Sequence, residues 1–167
     1  SIRDSKTDAI LPVGQVGEIC ARGYGVMLGY HDRPDATAQA IDEHGWLHTG
    51  DLGTMDSRGV IRITGRIKDI IIRGGENHFP AEIESALLEH SSIAEVAVVG
   101  LPDSKWGEII GASIVLKENK LETNDIIAWL KDKLPSYKIP RKYIFIEDLP
   151  KNVMGKVTKK EIKKLFM

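Results

Sequence analysis

Short apolar runs separated by glycines characterise the first 66 residues. Residues 16–21 form a strand candidate. The turn-forming sequence Asp56-Ser57-Arg58-Gly59 joins residues 52–55 to residues 60–64 in a predicted hairpin. One or two helical turns are predicted over residues 35–41, directly after a proline. The short runs and frequent turns predict that this part of the chain is all-β.

Longer apolar runs alternate with amphipathic helical patterns from about residue 68 onward. Strands are predicted in four places: 70–72, 95–101, 109–116 and 142–146. A sheet of this kind flanked by helices, about 100 residues long, predicts a complete small α+β domain. The change of pattern places the domain boundary near residues 65–69.

Three helices are predicted in this second part. The first covers residues 81–90, begins with Pro80 in its first turn, and places apolar side chains on one face: Ile83, Leu87 and Leu88. The second covers residues 123–134, with Thr123 as its N-terminal cap and one apolar stripe: Ile126, Ile127, Leu130 and Leu134. The third is a lysine-rich terminal helix over residues 158–166.

Composition and charge exclude several classes of protein. The 167 residues carry 23 Lys plus Arg and 24 Asp plus Glu, so the overall basic character of a nucleic-acid binder is absent. Residues 149–167 hold six lysines and one glutamate, but Phe166 is their only aromatic residue, so base stacking has little support there. No apolar run is long enough to cross a bilayer. We therefore expect neither a nucleic-acid partner nor a transmembrane segment.

The single cysteine and the histidines argue against disulfides and metal sites. Cys20 is the only cysteine, which excludes an internal disulfide and a cysteine-based zinc site, and predicts a reducing, cytoplasmic compartment. His44 and His48 are four residues apart, but Gly45 interrupts any helix between them. The chain begins without methionine and without a signal-peptide pattern, so we expect a processed chain or a piece of a longer protein.

Common phosphate-binding motifs are not matched. Gly155-Lys156 is followed by Val157, and Pro150 stands where a phosphate loop needs glycine. The glycines of residues 23–29 do not have the spacing of a dinucleotide-binding fingerprint. Nothing in the sequence indicates a Ser–His–Asp or Cys–His arrangement. The chemistry therefore has to be found in less common motifs.

Four segments together carry a family resemblance. They are GEICARGYGVMLGY (residues 17–30), HTGDL (48–52), GRIKDIIIRGGENHFPAEIE (65–84) and LPKNVMGK (149–156). In this order and spacing they resemble the later core motifs of the adenylate-forming superfamily, which includes acyl-CoA synthetases, luciferases and peptide-synthetase adenylation domains. The resemblance covers nearly the whole chain, from about residue 16 to its end.

The resemblance implies a two-step, AMP-forming ligase. A carboxylate attacks the α-phosphate of ATP and releases pyrophosphate, and the coenzyme A thiol then displaces AMP from the acyl-adenylate. ATP/AMP and coenzyme A are thus the expected substrates, with Mg²⁺ accompanying ATP at a site outside this chain. Residues 1–66 would be an all-β, distorted-barrel subdomain ending a large N-terminal lobe, 67–69 a hinge, and 70–167 the small α+β C-terminal lobe. Lys68 occupies the hinge position, where a residue has only to absorb a backbone rotation.

Three residues correspond to the family's positions for the first step. Asp51 matches the aspartate that holds both hydroxyls of the ATP ribose, which an ionised carboxylate can accept together. Arg66 matches an arginine that reaches the ribose or a phosphate, and its planar fork suits those contacts. Lys156 matches the catalytic lysine that stabilises charge on the α-phosphate and carboxylate oxygens. The alternatives are an ordinary acidic turn, a surface salt bridge and a solvated basic tail, respectively.

A second group of residues corresponds to the coenzyme A step. Gly74, Gly75 and Glu76 lie in the loop that lines the pantetheine tunnel in related ligases, although a plain left-handed turn is the alternative. Trp106 and Tyr137 match aromatic residues that flank the adenine of coenzyme A, with packing inside the small lobe as the alternative. Basic residues follow closely and could meet its 3′-phosphate: Lys138, Arg141 and Lys142.

The motifs favour one branch of the family. Lys68 and the Gly-Gly-Glu-Asn sequence resemble fatty-acyl and aryl-CoA ligases, and residues 23–30 resemble medium-chain acyl-CoA synthetases of fatty acid metabolism. The partner acid would then be a small fatty or aryl acid. Another carboxylate-adenylating enzyme, such as a peptide-synthetase-like one, and a nucleotide- or CoA-binding module without catalysis remain the alternatives.

The family motifs that precede this region are not in the sequence. The phosphate loop and the acyl pocket belong to the large lobe, so we predict that the 167 residues alone do not form acyl-adenylate. Detectable acid-dependent ATP–pyrophosphate exchange by the purified chain would contradict this prediction. Residues 1–66 are expected to expose apolar surface that packs on the large lobe, which favours self-association of the chain.

Overall fold

The computed structural model describes residues 1–117 and 121–167 and divides the chain into two compact units, Ser1–Lys68 and Asp69–Met167. The border lies inside the predicted hinge segment 67–69. Ile67–Asp69 forms a single turn of 3₁₀ helix there. The mechanical role of this turn stays a prediction.

The first unit is a four-stranded antiparallel sheet with one short helix. Its elements are β1 (Ile2–Arg3), β2 (Gly17–Ala21), α1 (Pro34–Ala40), β3 (Leu47–Met55) and β4 (Ile61–Arg66). The strand order is β1-β2-β3-β4, with each strand antiparallel to the next. The expectation of a distorted barrel differs from this arrangement, because the described strands form an open sheet with β1 and β4 at its edges.

The hairpin between β3 and β4 is fixed by its turn chemistry, as the sequence predicts. The Asp56 Oδ1 atom accepts hydrogen bonds from the backbone N–H groups of Arg58 and Val60, both at 2.9 Å. Gly59 has a positive φ of 83°, a conformation that glycine adopts without steric cost. The hydrogen-bonded Arg58 side chain, followed by the main-chain hydrogen bonds, lowers the pKa of the Asp56 carboxyl group.

The apolar core of the first unit is small. Its buried apolar side chains are Ile2, Cys20 and Leu52. Large apolar side chains are exposed on β4 and the loops of this unit: Ile10, Val13, Val60, Ile61 and Ile63. Exposed apolar side chains that form a contiguous patch are typical of a face that packs against another protein part.

The second unit is built on a five-stranded sheet with helices on both faces. Its elements are β5 (Ile71–Arg73), β6 (Glu76–His78), α2 (Pro80–Leu88), β7 (Ile93–Asp103), β8 (Gly107–Leu116), α3 (Thr123–Lys131), β9 (Lys142–Phe145) and α4 (Lys159–Lys164). The order β6-β5-β8-β7 is antiparallel, and β9 adds to β8 in parallel. The α+β class expected from the sequence is confirmed.

Strands β7 and β8 are buried on both faces, so the apolar side chains of each divide between two cores. One core packs α2 and α3 against Val98, Ile110, Ala112 and Ile114, and the other packs α4 against Ala97, Val99 and Ile109. Successive side chains of a strand point to opposite faces, which explains this division. Burial on both faces also explains why these strands are long continuous apolar runs in the sequence.

Two details of the predicted helices are wrong. Leu88 is 49% exposed, and the buried face of α2 instead consists of Pro80, Ile83, Ala86 and Leu87. Thr123 is the first residue of α3 and not its cap. Glu122 caps the helix, because its side chain accepts from the Asp125 N–H while the Asp125 side chain accepts from the Glu122 N–H.

All three helices of the second unit are shorter than expected. Helix α2 ends at Leu88, α3 at Lys131 and α4 at Lys164. Leu134 lies beyond the end of α3, but it remains buried in the same core as Ile126 and Leu130. Within residues 1–117 and 121–167, no helix is both long and apolar enough to span a membrane.

Candidate functional site

The Thr-Gly-Asp motif lies in an irregularity of strand β3. Glu18 of β2 pairs with Leu52, whereas Cys20 pairs with His48, so the segment 49–51 stands opposite the single residue Ile19. Such bulges bend a strand and redirect its side chains. Gly50, in the middle of the segment, has a φ of 72°, which glycine tolerates best. The bulge therefore removes Asp51 from regular strand geometry.

Asp51 and Arg66 are brought together by a second irregularity, between β3 and β4. Near the turn, Gly53 pairs with Ile63, but the register shifts by one residue and Asp51 then pairs with Arg66. Without this shift Asp51 would face Gly65. The Arg66 Nε atom donates to Asp51 Oδ1 at 2.7 Å. The two residues predicted to bind the nucleotide are thus neighbours, and the salt bridge foreseen as an alternative for Arg66 is also present.

An open cavity of about 520 Å³ lies beside this pair within the first unit. Its lining includes Thr49 and Gly50 of the motif, the cations Arg66 and Lys68, and the polar residues Tyr30 and Gln39. The side chain of Arg66 is 64% exposed, so much of its guanidinium is free to meet a ligand. An open cavity that presents two cations suits an anionic, hydroxyl-bearing molecule. Gln39 belongs to none of the sequence motifs, and it reaches the cavity because helix α1 lies beside it.

A cluster of polar side chains from the β1–β2 loop, β2 and β3 lies next to the same segment. The ligating atoms of Asp8, Cys20 and His48 lie within 4.8 Å of one another, the kind of grouping that can hold a metal ion. However, the Arg3 guanidinium is ion-paired with Asp8. Burial, followed by the charge of Glu18, raises the pKa of the Cys20 thiol to about 11, which opposes the thiolate that a metal requires. These features favour a hydrogen-bonded polar cluster.

Lys156 lies in a tight, exposed loop of the second unit. Lys151 and Val157 form an isolated antiparallel bridge, and the Asn152 side chain accepts from the backbone N–H groups of Met154 and Lys156, each at 3.0 Å. Gly155 has a φ of 77°, so it provides the left-handed position that the turn needs. The loop backbone is thus well defined by its own hydrogen bonds.

The ammonium group of Lys156 differs from those of most lysines in residues 149–167 because it forms no ion pair with the described residues. Four tail lysines form ion pairs: Lys151 with Glu95, Lys159 with Glu84, Lys163 with Glu108 and Lys164 with Glu161. Lys156 and Lys160 are both exposed, and the part of the chain that the structure describes offers neither an ion-pair partner. Lys160 therefore provides a matched comparison for Lys156.

The predicted Gly74–Asn77 loop is a tight hairpin turn. Arg73 pairs with Glu76 across β5 and β6, so Gly74 and Gly75 alone form the turn. Their φ angles are +60° and +85°, as a two-residue type I′ hairpin requires. The expectation that Glu76 and Asn77 lie in a loop is wrong, since both belong to β6. The left-handed turn considered as an alternative is present.

Trp106 packs directly against this turn. The Gly74 N–H group donates to the Trp106 carbonyl at 2.8 Å, and a β-carbon on Gly74 would lie 3.0 Å from the Trp106 ring. Asp103 accepts the backbone N–H groups of Lys105 and Trp106, which fixes the turn between β7 and β8 and lowers the pKa of the Asp103 carboxyl group. The position of Trp106 is therefore set by two turns.

Cations surround the Trp106 ring. The side chains of Arg73, Lys105 and Arg141 lie 4.9, 5.2 and 5.9 Å from the ring centre. Such contacts between a cation and an aromatic face are attractive. Arg141 was expected here, whereas Arg73 and Lys105 were not. Arg73 has no local signal, because its partners Trp106 and Tyr137 lie more than 30 residues away in the chain.

Tyr137 is linked to the same cluster through Arg73, whose side chain donates to the Tyr137 carbonyl at 2.8 Å. The Tyr137 ring is 47% exposed and packs edge-on against His78, with ring centres 5.8 Å apart. Lys138 forms an ion pair with Glu82 at 2.6 Å, so its charge is already partly balanced. Glu76 is exposed at the hairpin. The fold thus collects Gly74, Trp106, Tyr137 and Arg141 around Arg73.

Comparisons with known proteins show the family of the chain. Residues 82–156 match the family model of the AMP-binding enzyme C-terminal domain. The chain is 49% identical over 148 residues to a methyl-dioxo-octahydro-indenyl-propanoyl:CoA ligase of Rhodococcus jostii (strain RHA1), covering 88% of this chain and 29% of that protein. It is 42% identical over 164 residues to the 2-succinylbenzoate–CoA ligase of Bacillus cereus (strain Q1), covering 98% of this chain and 34% of that protein.

Solved structures show the same relationship. The ATP-bound MatB of Rhodopseudomonas palustris superposes with a TM-score of 0.92 at 36% identity, over 99% of this chain and 33% of that one. The o-succinylbenzoate CoA synthetase (MenE) of Bacillus subtilis, in complex with its acyl-adenylate intermediate, gives a TM-score of 0.90 at 36% identity, over 98% of this chain and 33% of that one. The chain spans about a third of the length of the relatives it matches. It belongs to the adenylate-forming, AMP-binding enzyme superfamily, as its motifs predict, and carries the C-terminal domain of that family.

Proposed function

We propose that this chain supplies nucleotide- and coenzyme A-handling parts of an AMP-forming acid–thiol ligase of the acyl-CoA synthetase type. The observation that carries the proposal is the pairing of Asp51 with Arg66 beside an open cavity that Arg66 and Lys68 line. A carboxylate can accept both hydroxyls of a ribose, while the exposed guanidinium can meet the same ribose or a phosphate. The two charges together suit a nucleotide better than they suit an uncharged ligand.

Lys156 is the proposed catalytic cation of the first step. An oxygen of the substrate carboxylate bonds to the α-phosphorus of ATP, and the bond from that phosphorus to the pyrophosphate oxygen breaks. Negative charge on the phosphoryl oxygens must be stabilised as this happens, and one pre-placed donor of this kind is typically worth about 10²–10³ in rate. An ammonium group without an ion-pair partner among the described residues is available for that role.

The cluster around Trp106 is the proposed site for coenzyme A. Its aromatic face suits an adenine ring, and Arg73, Lys105 and Arg141 supply positive charge for phosphate groups. The Gly74-Gly75 turn allows the backbone to approach a narrow ligand closely. The thiolate sulfur would bond to the acyl carbon of the adenylate, and AMP would leave with the electrons of the broken C–O bond.

The remaining parts of the proposal concern partners. We assign the large N-terminal lobe of the same enzyme as the partner of this chain, with Lys68 in the hinge between the lobes. A fatty or aryl acid of small size is the proposed substrate, and the resemblance of residues 23–30 favours a medium-chain acid. Mg²⁺ would enter with ATP, and we assign it no ligand in this chain. The proposed location is the cytoplasm.

The test measures two half-reactions on the complete polypeptide encoded by the reading frame that contains this chain. Acid-dependent exchange of labelled pyrophosphate into ATP reports the first step. Coenzyme A-dependent release of AMP and formation of the thioester report the second. A panel of fatty and aryl acids of increasing length gives the acyl preference. Activity in both half-reactions is expected, whereas nucleotide binding without exchange would favour a binding module.

A further inference from the structure

We propose that Glu18 is the positioning residue for Asp51: a buried carboxylate on β2 that holds the 49–51 bulge and so aims the nucleotide-binding carboxylate. This inference rests on the proposed function, because it assigns Glu18 to the same nucleotide site. Glu18 also lines the cavity beside this pair, but both of its carboxylate oxygens face Gly50 and His48, so its proposed action is through Gly50 and the shape of the bulge.

Both oxygens of Glu18 have partners in the irregular part of β3. Its Oε1 atom accepts the Gly50 N–H group at 2.9 Å, and its Oε2 atom lies 3.0 Å from His48 Nδ1. Glu18 is only 7% exposed. Burying a carboxylate is costly unless hydrogen bonds compensate for the lost water, so a glutamate at this place requires these partners. A regular strand pair would need no such side chain.

The contacts of Glu18 act on the backbone that carries Asp51. Gly50 directly precedes Asp51, so fixing the Gly50 N–H group limits how the following residue can be oriented. Thr49 completes the brace: its hydroxyl donates to the Ile19 carbonyl at 2.7 Å and accepts the Asp51 N–H at 3.1 Å. The bulge is therefore held at all three of its residues: Thr49 through its hydroxyl group, and Gly50 and Asp51 through their backbone N–H groups.

His48 ties the brace to the rest of the sheet. One ring nitrogen faces Glu18, and the other lies 3.8 Å from an Asp42 oxygen and 3.9 Å from an Asp8 oxygen. Cys20 lies behind the same ring, with 3.6 Å between its sulfur and His48 Nδ1. This surrounding network restricts the His48 ring, so Glu18 is supported on its second oxygen by a side chain that is itself held in place.

The consequence for binding is geometric. A hydrogen-bonding group displaced by about 1 Å can lose about 10² in rate even when the displacement arises away from the reacting atoms. We expect Glu18→Ala to raise the KM for ATP by about 10-fold to 10²-fold, with the KM for the acid substrate unchanged. Glu18→Gln keeps an acceptor for the Gly50 N–H and loses the charge, so it is expected to recover most of the ATP affinity.

A double-mutant cycle distinguishes positioning from a general structural role. If Glu18 acts through Asp51, then Glu18→Ala should cost little further ATP affinity in an Asp51→Asn background. Asp56→Asn is the matched control, since Asp56 also accepts two backbone N–H groups of this sheet but serves the distant β3–β4 turn. It should leave the KM for ATP unchanged. The complete polypeptide is used, and AMP binding by calorimetry provides a second readout.

The outcomes separate the inference from the proposed function. Additive effects of Glu18→Ala and Asp51→Asn, or equal rises in the KM for ATP and for the acid, overturn the positioning role of Glu18. If Glu18→Ala does not fold, the Glu18→Gln variant decides the question. Wild-type ATP affinity in this variant supports the positioning role of Glu18, and a loss of ATP affinity as large as that in Asp51→Asn contradicts it. Absence of acid-dependent exchange in the wild type refutes the proposed function, and the cycle on AMP binding then still decides whether Glu18 acts through Asp51.

Discussion

The two glycines of the β5–β6 turn offer a matched pair of substitutions. Both have a positive φ, +60° at Gly74 and +85° at Gly75. An L-residue in this region is less stable by about 1–2 kcal/mol than in its preferred conformations. Gly74→Ala and Gly75→Ala are therefore each expected to lower the free energy of unfolding of the second unit by about 1–2 kcal/mol through the backbone alone.

The surroundings of the two glycines differ. A β-carbon on Gly74 would lie 3.0 Å from one carbon of the Trp106 ring and 3.3 Å from a second, whereas a β-carbon on Gly75 meets nothing within 4 Å. Adding a methyl group to a packed position typically costs about 1–3 kcal/mol. Gly74→Ala is thus expected to destabilise the unit by about 2–5 kcal/mol in total. It should also push the Trp106 ring away from its cations.

Two assays separate these effects. Urea unfolding followed by far-ultraviolet circular dichroism gives the stability of each variant. The two half-reactions, measured on the complete polypeptide, show which site is affected. Gly74→Ala should slow thioester formation and raise the KM for coenzyme A while pyrophosphate exchange stays near the wild-type rate. Gly75→Ala should leave the KM for coenzyme A close to that of the wild type.

Equal effects of the two substitutions on the KM for coenzyme A would refute the assignment of Trp106 to that site. A larger loss of stability for Gly75→Ala than for Gly74→Ala would refute the packing argument. Loss of exchange activity in Gly74→Ala would show that the turn serves the first step instead.

Two further predictions concern buried titratable groups. Burial, followed by the charge of Arg73, lowers the pKa of His78 below its usual 6.5, so the folded protein binds fewer protons than the unfolded chain. The stability that this group contributes is complete above pH 6.5 and is lost as the pH falls through the folded pKa. The free energy of unfolding should therefore depend less steeply on pH between pH 5 and 7 in His78→Phe than in the wild type. An unchanged pH dependence would contradict this prediction. Cys20 is 2% exposed and burial raises its thiol pKa to about 11, so iodoacetamide at pH 8 should modify it only after unfolding, as mass spectrometry can show. Rapid labelling of the folded chain would contradict its burial.

Local patterns were sufficient to predict most of the elements. The long apolar runs that became β7 and β8 are buried on both faces, so their signal is strong. The Asp56 to Gly59 turn and the proline that begins α2 act through neighbouring residues, and both lie where expected. In contrast, Glu122 caps α3 through a reciprocal pair of hydrogen bonds with Asp125. The general preference for threonine at helix caps led instead to the prediction of Thr123.

The candidate site could be predicted only in part. The motifs identified Asp51 and Arg66 as separate residues, but their contact depends on a one-residue register shift that no local pattern announces. The motif that contains Glu18 predicts no role for this residue, because its partner Gly50 lies 32 residues away. Arg73 was missed for the same reason, since its contacts come from β8 and the segment before β9. Long-range pairing of strands creates these sites, and the sequence does not display it.

Lys156, the proposed catalytic cation of the adenylation step, has an internal control in Lys160. Both lysines are exposed and lack ion pairs within residues 1–117 and 121–167, so the two side chains are in similar environments. Replacing either one with alanine removes the same single positive charge. Acid-dependent ATP–pyrophosphate exchange by the complete polypeptide should fall about 10²–10³-fold in Lys156→Ala and stay near the wild-type rate in Lys160→Ala. Equal rates in the two variants would contradict the account.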